Sequence, residues 1–84
     1  MLTPLNRSPY SQVVSMISIG EQIKAELISQ ERGVSWFANK LGCSRMAVYR
    51  IFEKNSIDTA ILYRICKILN HNFFNDLAND LGEV

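Results

Sequence analysis

The chain lacks several features that would point to particular classes of protein. None of its apolar runs approaches the roughly 18–20 residues that a membrane-spanning helix needs. Its N-terminus does not join a basic region to an apolar block, so no secretion signal is predicted. It has one histidine, no paired carboxylates on a helical face and no phosphate-cradling glycine loop. We therefore expect no enzymatic activity and no cofactor.

Cysteine is also scarce. Cys43 and Cys66 both fall inside helix patterns, and reduced buried thiols are favoured over a disulfide. Together with His71 they offer too few ligands for a metal ion, and their spacing fits no zinc pattern. The sequence predicts no metal site and a cytoplasmic protein, which would associate with the nucleoid if it binds DNA.

The length and composition suit one small domain. The chain has 84 residues, of which 48% are hydrophobic, enough for a core. Residues 1–17 hold both prolines and several small polar residues, so we predict a flexible N-terminal arm or leader there and a folded domain over residues 18–84. Met16 is an alternative start, and the strand-like stretch from Val13 to Ile19 could pair with a second copy.

Apolar periodicity and helix-capping signals predict five helices and short loops. The predicted helices run from about Ile19 to Glu31, Ser35 to Leu41, Arg45 to Lys54, Thr59 to Leu69, and Phe73 to Leu81. Such a pattern is typical of a compact all-α five-helix bundle.

Particular residues are expected to end these helices or to face the core. Ser18 with Glu21 forms a possible capping box, Gly33 would end helix 1 in a left-handed conformation, and Ser44 and Asp58 are the expected N-caps of helices 3 and 4. The expected inward residues include Ile19, Ile23, Leu27, Ile28, Phe37, Ala38, Leu41, Phe73, Phe74, Leu77 and Leu81. Arg64 and Lys67 are expected on a solvated face of helix 4.

The third predicted helix has two different faces. On a helical wheel Ala47, Val48, Ile51 and Phe52 share one half, which requires a core. The other half carries Arg45, Met46, Tyr49, Arg50, Glu53 and Lys54. A short helix that presents arginines, a phenol and a thioether, joined to another short helix by a glycine turn, matches the geometry of a major-groove reader.

Positive charge is concentrated around this helix. Although the whole chain carries only +1, residues 32–54 carry Arg32, Lys40, Arg45, Arg50 and Lys54 against a single acid, Glu53. Residues 76–84 are acidic by contrast. A local basic surface is the electrostatic footprint of a phosphate-binding face, although an ordinary solvated face would have the same composition.

The residues at four positions suit a helix-turn-helix. Ala38 is small where helix 3 would cross, Gly42 occupies the turn, and Val48 with Ile51 would anchor helix 3 on helix 2. Here the chain resembles the Cro/repressor-type helix-turn-helix family, also called the XRE family. The resemblance extends from about Ile19 to Leu69, with helix 5 as the fifth helix of that fold. The ending SIDTAILYRICKILNHNFF is similar to short bacterial members.

The resemblance implies a lambda-repressor-like fold and sequence-specific binding to double-stranded DNA, commonly as a homodimer. It implies base-facing contacts from helix 3 and a phosphate clamp at the start of helix 2. The chain departs from the family at Val34 and Ser35, where a glutamine or another polar residue is common, and at Glu53-Lys54 in place of a glutamate-glycine ending.

We assign the candidate DNA contacts by position. The base-facing candidates are Arg45, Met46, Tyr49 and Arg50, and the phosphate candidates are Ser35, Trp36, Lys40, Ser44 and Lys54. Each has an alternative. The arginines could contact phosphate or only solvent, Met46 could fill a surface gap, Tyr49 could pack over helix 2, and Ser44 could act as a cap only. Trp36 could pack against helix 1 or a dimer partner, and His71 is expected to be a plain loop residue.

The sequence thus predicts a transcriptional regulator, with repression favoured, that inserts helix 3 into the major groove. Two alternatives keep the same fold. The chain could be an antitoxin that binds a toxin protein as well as DNA, or a protein-interaction module that has lost DNA binding. An 84-residue monomer makes few contacts, so a homodimer is expected, through helix 5, the N-terminal arm or both.

Overall fold

The computed structural model describes residues 18–82, and within that range it contains five α-helices and no strand. The helices are α1 (Ile19–Ser29), α2 (Val34–Leu41), α3 (Arg45–Phe52), α4 (Thr59–Leu69) and α5 (Phe73–Leu81). The all-α five-helix prediction is confirmed, and α4 and α5 have the predicted bounds. None of the described helices is long and apolar enough to cross a membrane.

Part of the sequence prediction falls outside the described residues. The arm predicted over residues 1–17, including the alternative start at Met16, cannot be compared with the structure. Of the strand-like stretch that begins at Val13, only Ser18 and Ile19 are described, and Ile19 begins α1.

One hydrophobic core unites the five helices. Its central members are fully buried and come from all five elements, among them Ile23 on α1, Phe37 on α2, Val48 on α3, Ile65 on α4 and Phe73 on α5. No polar or charged residue among those described is buried, so the core is apolar throughout. The helix α3 packs against both α1 and α2, and α2 also packs against α4.

The start of α1 and the end of α3 are joined through backbone. The Gly20 N–H donates to the Lys54 carbonyl oxygen at 3.0 Å, and the Ser18 hydroxyl donates to the same oxygen at 2.5 Å. A Cβ on Gly20 would lie 2.3 Å from the Ile51 carbonyl oxygen. Only glycine at this position lets α1 approach the α3 backbone so closely.

A tight turn connects α2 to α3, as the sequence predicts. Gly42 adopts the left-handed conformation with φ 82°, and the N–H groups of Gly42 and Cys43 both donate to the Ala38 carbonyl oxygen. Ala38 is buried at this point. The turn also receives a long-range bond, because the Arg64 guanidinium on α4 donates to the Leu41 carbonyl oxygen at 2.8 Å.

Several local expectations at helix ends are wrong. The Ser18 hydroxyl does not cap α1, because it donates to Lys54 instead, and so no capping box forms with Glu21. Gly33 has an ordinary extended conformation and precedes α2, whereas the left-handed residue after α1 is Glu31, with φ 57°. Helix α3 ends at Phe52, two residues before the predicted end.

Three further corrections concern side chains. Ile28 is 63% exposed and lies outside the inward stripe of α1. On α5 only Phe73 is buried, whereas Phe74, Leu77 and Leu81 are exposed. The periodicity predicted that they face the core, but Phe74 and Leu77 are only partly covered, at a cleft shared with Ile19 and Leu62, and Leu81 is 66% exposed. Asp58 precedes α4 as expected, yet its side chain makes no capping hydrogen bond.

Helix α5 is anchored by Phe73, its first residue, which is buried in the core, and the loop before it adds further contacts. The Asn72 side-chain oxygen accepts from the Asn75 N–H at 3.0 Å and caps the helix. His71 lies in this loop as predicted, but its imidazole also contacts Asp76 on α5 and Glu26 on α1, at 2.5 Å and 3.5 Å. Its ring meets Phe73 edge-on, with the ring centroids 4.6 Å apart.

Candidate nucleic-acid interface

Ser44 starts α3 by capping its first turn. The Ser44 hydroxyl accepts a hydrogen bond from the Ala47 N–H at 3.1 Å while its own backbone stays extended. This satisfies one of the N–H groups that a helix start leaves without a partner. The capping prediction for Ser44 is confirmed, and its phosphate contact stays a prediction.

The two faces of α3 are arranged as the helical wheel predicts. Val48, Ile51 and Phe52 are buried and hold the helix against α1 and α2. All four base-facing candidates are exposed together on the opposite face, where Met46 is 61% exposed and Tyr49 48%. The exposed candidates are Arg45, Met46, Tyr49 and Arg50.

The exposed face of α3 has two flanks with different neighbours. On the α1 side Tyr49 lies in a shallow cleft together with Lys24, Glu21 and Glu53. Its ring meets Phe52 edge-on, with the centroids 6.2 Å apart, so it rests on its own helix rather than over α2. This contact holds the ring while leaving part of it exposed.

The flank toward α4 is basic. Arg50 and Lys54 line a second cleft with Arg64, and the floor of this cleft comes from the turn after α2 and from apolar residues of α3 and α4. Arg50 thus lies nearer to the α4 side than to the side of Tyr49. The sequence placed Arg50 among the base-facing residues, and that role stays a prediction.

Trp36 and Arg32 form one unit at the start of α2. The Arg32 guanidinium lies over the Trp36 ring, with its central carbon 4.4 Å from the ring centroid. Trp36 is half-buried and packs against the core, so its indole is a supported platform for the exposed guanidinium. Ser35, beside it, is exposed.

The remaining phosphate candidates are also exposed. Lys40 lies on the last turn of α2, and Lys54 follows α3. No ion pair within residues 18–82 involves either lysine, since the pairs found there all belong to His71. Both ammonium groups are therefore available to an external anion.

Two cationic residues escaped the sequence-based assignment of the site. Arg32 was counted in the basic segment, and its position four residues before Trp36 was the only further signal. Arg64 was predicted with Lys67 on a solvated face of helix 4, and both are exposed, but its further contact with the Leu41 carbonyl joins residues far apart in the chain. No local pattern could have predicted that contact.

Cys43 lies in the turn after α2 and Cys66 on α4, and both are free and half-buried. Within the described part of the chain, no group of three or more histidine, cysteine or acidic side chains could hold a metal ion.

Comparison with known proteins adds no family. No family model, no curated protein and no solved structure gives a significant match to the chain. The resemblance to the Cro/repressor-type family therefore depends on the residues quoted for it and stays a prediction.

Proposed function

We propose that this chain is a sequence-specific DNA-binding transcriptional regulator that reads the major groove with α3. The observation that carries the proposal is the exposed face of this helix, on which Arg45, Met46, Tyr49 and Arg50 lie together. The helix is short, capped and supported from behind by α1 and α2. A major groove about 12 Å wide admits one such helix.

The roles of the base-facing side chains follow from their chemistry. Arg45 lies on the first turn of α3, and its guanidinium suits bidentate bonding to guanine O6 and N7. Met46 and Tyr49 can contact a thymine methyl group, and the Tyr49 hydroxyl can reach a phosphate. Each bidentate arginine contact discriminates against the wrong base by about 1–3 kcal/mol.

Backbone contacts would hold α3 in place. The start of α2, with Ser35 and the Arg32–Trp36 stack, suits one phosphate, and Lys40 suits another. Such contacts fix orientation but carry no sequence information, so they complement the contacts from α3. The concentration of positive charge in residues 32–54 supports this arrangement.

A homodimer is part of the proposal. Two copies related by a two-fold axis would place their α3 helices in half-sites about 34 Å apart, or at a multiple of that spacing. The exposed apolar residues Phe74, Leu77 and Leu81 on α5 are the surface that a second copy would cover. A palindromic operator is the expected consequence.

The test is selection from a randomised DNA duplex pool, with sequencing of the bound fraction at about 50 mM salt, where phosphate contacts are strong. The wild-type protein should enrich a palindrome. The variant Arg45→Ala should relax the preference at one base position in each half-site. Its matched control is Lys67→Ala on α4, which removes an equal charge beside Tyr63 and should leave the enriched sequence unchanged.

Other outcomes would revise the proposal in defined ways. Binding without enrichment would reduce the protein to a backbone-only binder. No binding at low salt would overturn the regulator proposal and favour a protein partner. An enriched sequence that Arg45→Ala leaves intact would remove Arg45 from the base-reading set.

A second candidate function is a protein-binding module, such as an antitoxin that holds a toxin. The specific observation in its favour is α5, whose exposed face is apolar and whose neighbourhood is acidic through Asp76 and Asp80. Charge reversal at Arg45 and Arg50 discriminates between the two functions. It should abolish DNA binding by a regulator but leave the binding of a protein at α5 unchanged.

A further inference from the structure

An open cleft of about 360 Å³ between α3 and α4 gathers three cationic side chains from separate parts of the chain. Arg50 comes from α3, Lys54 from the residues that follow it, and Arg64 from the middle of α4. No acidic residue lines the cleft. The remaining lining residues are apolar or small and come mainly from the turn after α2 and from Ile51 and Ile61.

Arg64 is held in the cleft by a specific hydrogen bond. Its Nη2 donates to the Leu41 carbonyl oxygen, at the C-terminal end of α2, with a distance of 2.8 Å. A cation is favourable at this end of a helix because the terminal carbonyls carry partial negative charge. The bond engages one donor of a planar group that has several, so the other N–H groups stay available in a fixed orientation.

The three positive charges have no internal partner among the described residues. Within residues 18–82 the contacts at ion-pair distance are those of the His71 imidazole with Glu26 and Asp76, and none involves Arg50, Lys54 or Arg64. Like charges that share one cleft repel each other, and a bound anion would remove that repulsion. The arrangement suits an oxyanion, because guanidinium groups bind phosphate oxygens bidentately.

The position of the cleft indicates which oxyanion it would bind. Arg50 belongs both to the lining of the cleft and to the exposed face of α3, so the cleft opens beside the proposed DNA-facing surface. A duplex that receives α3 in its major groove brings a strand of phosphodiesters along each side of that helix. The α1 flank carries Glu21 and Glu53, whereas the α4 flank carries no acid.

We infer that the α3–α4 cleft binds a backbone phosphate of the DNA, with Arg50, Lys54 and Arg64 as its ligands. This inference rests on the proposed function, since the phosphate is delivered by a duplex bound at α3. It assigns Arg50 to the backbone rather than to a base edge. It also gives Arg64 a second role beyond its bond to α2. The site positions the helix, and sequence preference remains with Arg45 and its neighbours.

The first experiment measures the affinity of the full chain for its selected duplex across a range of salt concentrations. Each variant, Arg50→Gln, Lys54→Gln or Arg64→Gln, should reduce the slope of log affinity against log salt by about 0.9, the value for one phosphate contact. The enriched sequence should stay the same in all three. The control Lys67→Gln removes the same charge from a residue of α4 that does not line the cleft, and it should keep the wild-type slope.

The Arg64 variant needs an additional control, because the substitution also removes the hydrogen bond to the Leu41 carbonyl. Thermal unfolding of Arg64→Gln shows whether the fold is intact, and Arg64→Lys keeps the charge while losing the planar fork. The side chains of Arg50 and Lys54 make no hydrogen bond within residues 18–82, so replacing them breaks no internal bond. These two variants therefore test the site even if Arg64→Gln unfolds.

The second experiment tests whether the cleft binds an oxyanion, independently of whether the chain binds DNA. The ¹⁵N-labelled full chain is titrated with inorganic phosphate, against sodium chloride at equal ionic strength. Shifts confined to the amides around Cys43, Arg50 and Lys54 and to the Arg64 guanidinium would establish an oxyanion site even without DNA binding. In that case the proposed function would fail while the ligand chemistry stood.

The inference is overturned by either of two results. In the first, the duplex binds, but the slope of log affinity against log salt is the same for the three variants as for the control Lys67→Gln. In the second, the duplex does not bind and phosphate shifts none of the cleft resonances. A relaxed sequence preference in Arg50→Gln would return Arg50 to the base-reading set and contradict its assignment here.

Discussion

The helices α3 and α5 have nearly the same length, yet they use their surfaces in opposite ways. Helix α3 has eight residues, of which three are buried, and its four exposed residues include two arginines. Helix α5 has nine residues, of which only Phe73 is buried, and exposes Phe74, Leu77 and Leu81 beside acidic side chains. Both are amphipathic, but the apolar side of α3 is buried, whereas that of α5 is only partly covered within residues 18–82.

The difference shows that the amphipathicity of a helix does not by itself indicate whether the same chain covers its apolar face. The exposed side of α3 carries two arginines, whose charges are solvated and available to an anion at little cost. The exposed side of α5 is apolar and gains free energy by being covered, at about 25 cal/mol per Å². We therefore propose a polar ligand for α3 and an apolar partner for α5. The following predictions test that division.

The largest expected effect concerns the anchor of α5. Replacing the buried Phe73 by alanine should lower the free energy of unfolding by about 3 kcal/mol, because it leaves a cavity where the helix is attached. Its neighbour Phe74 is 38% exposed, and Phe74→Ala should cost less than about 1 kcal/mol. Chemical denaturation followed by circular dichroism measures both. Equal losses would mean that α5 is held along its whole face rather than by one ring.

The next effect concerns the support behind α3. Gly20→Ala should lower the free energy of unfolding by about 2–3 kcal/mol, because its methyl group would collide with the carbonyls of Ile51 and Phe52. Gly33→Ser adds a Cβ where nothing lies within 4 Å and should be nearly neutral. Thermal and urea unfolding of the two variants give the comparison. A stable Gly20→Ala would show that α1 and α3 can separate.

A smaller effect compares the two helix caps. Ser44→Ala and Asn72→Ala each remove one side-chain cap and should each cost about 1 kcal/mol of stability. Only Ser44→Ala should also weaken DNA binding, because it loosens the first turn of α3. Unfolding and duplex-binding measurements on both proteins check this. Equal loss of DNA affinity would contradict the separation of the two surfaces.

The smallest expected effect on stability comes from the exposed face of α5. Leu77→Glu and Leu81→Glu should change the free energy of unfolding of the monomer by less than about 0.5 kcal/mol. They should nevertheless weaken the proposed dimer about tenfold or more in sedimentation equilibrium, since a charge would enter its apolar interface. Ile28→Glu, at an exposed apolar residue of α1, is the matched control. If it weakens the dimer equally, α5 is not the interface.

Local sequence signals predicted much of this structure. The bounds of α4 and α5, the Ser44 cap, the left-handed Gly42 and the buried half of α3 all follow from periodicity and capping chemistry within one turn of helix. The exposure of the four base-facing candidates follows in the same way, because one wheel fixes both faces of a helix.

Contacts between distant residues were not predictable in this way. The Ser18 hydroxyl had an obvious local role as a cap, but the Lys54 carbonyl 36 residues away receives its hydrogen bond. The periodicity of α5 correctly marked an apolar face, although it could not say whether the cover lies in the same chain. The sequence shows that helix 4 carries Arg64, but its contact with the end of α2 depends on how α2 and α4 pack.

The stack of Arg32 on Trp36 has a practical consequence for spectroscopy. Trp36 is the single tryptophan of the chain, and it lies at the proposed phosphate contact of α2. Indole emission responds to a nearby charge and to solvent, so moving Arg32 from the ring to a phosphate would change the fluorescence without any label. The protein therefore carries an intrinsic optical probe at α2, and Trp36→Phe, which keeps an aromatic platform, provides the matching blank.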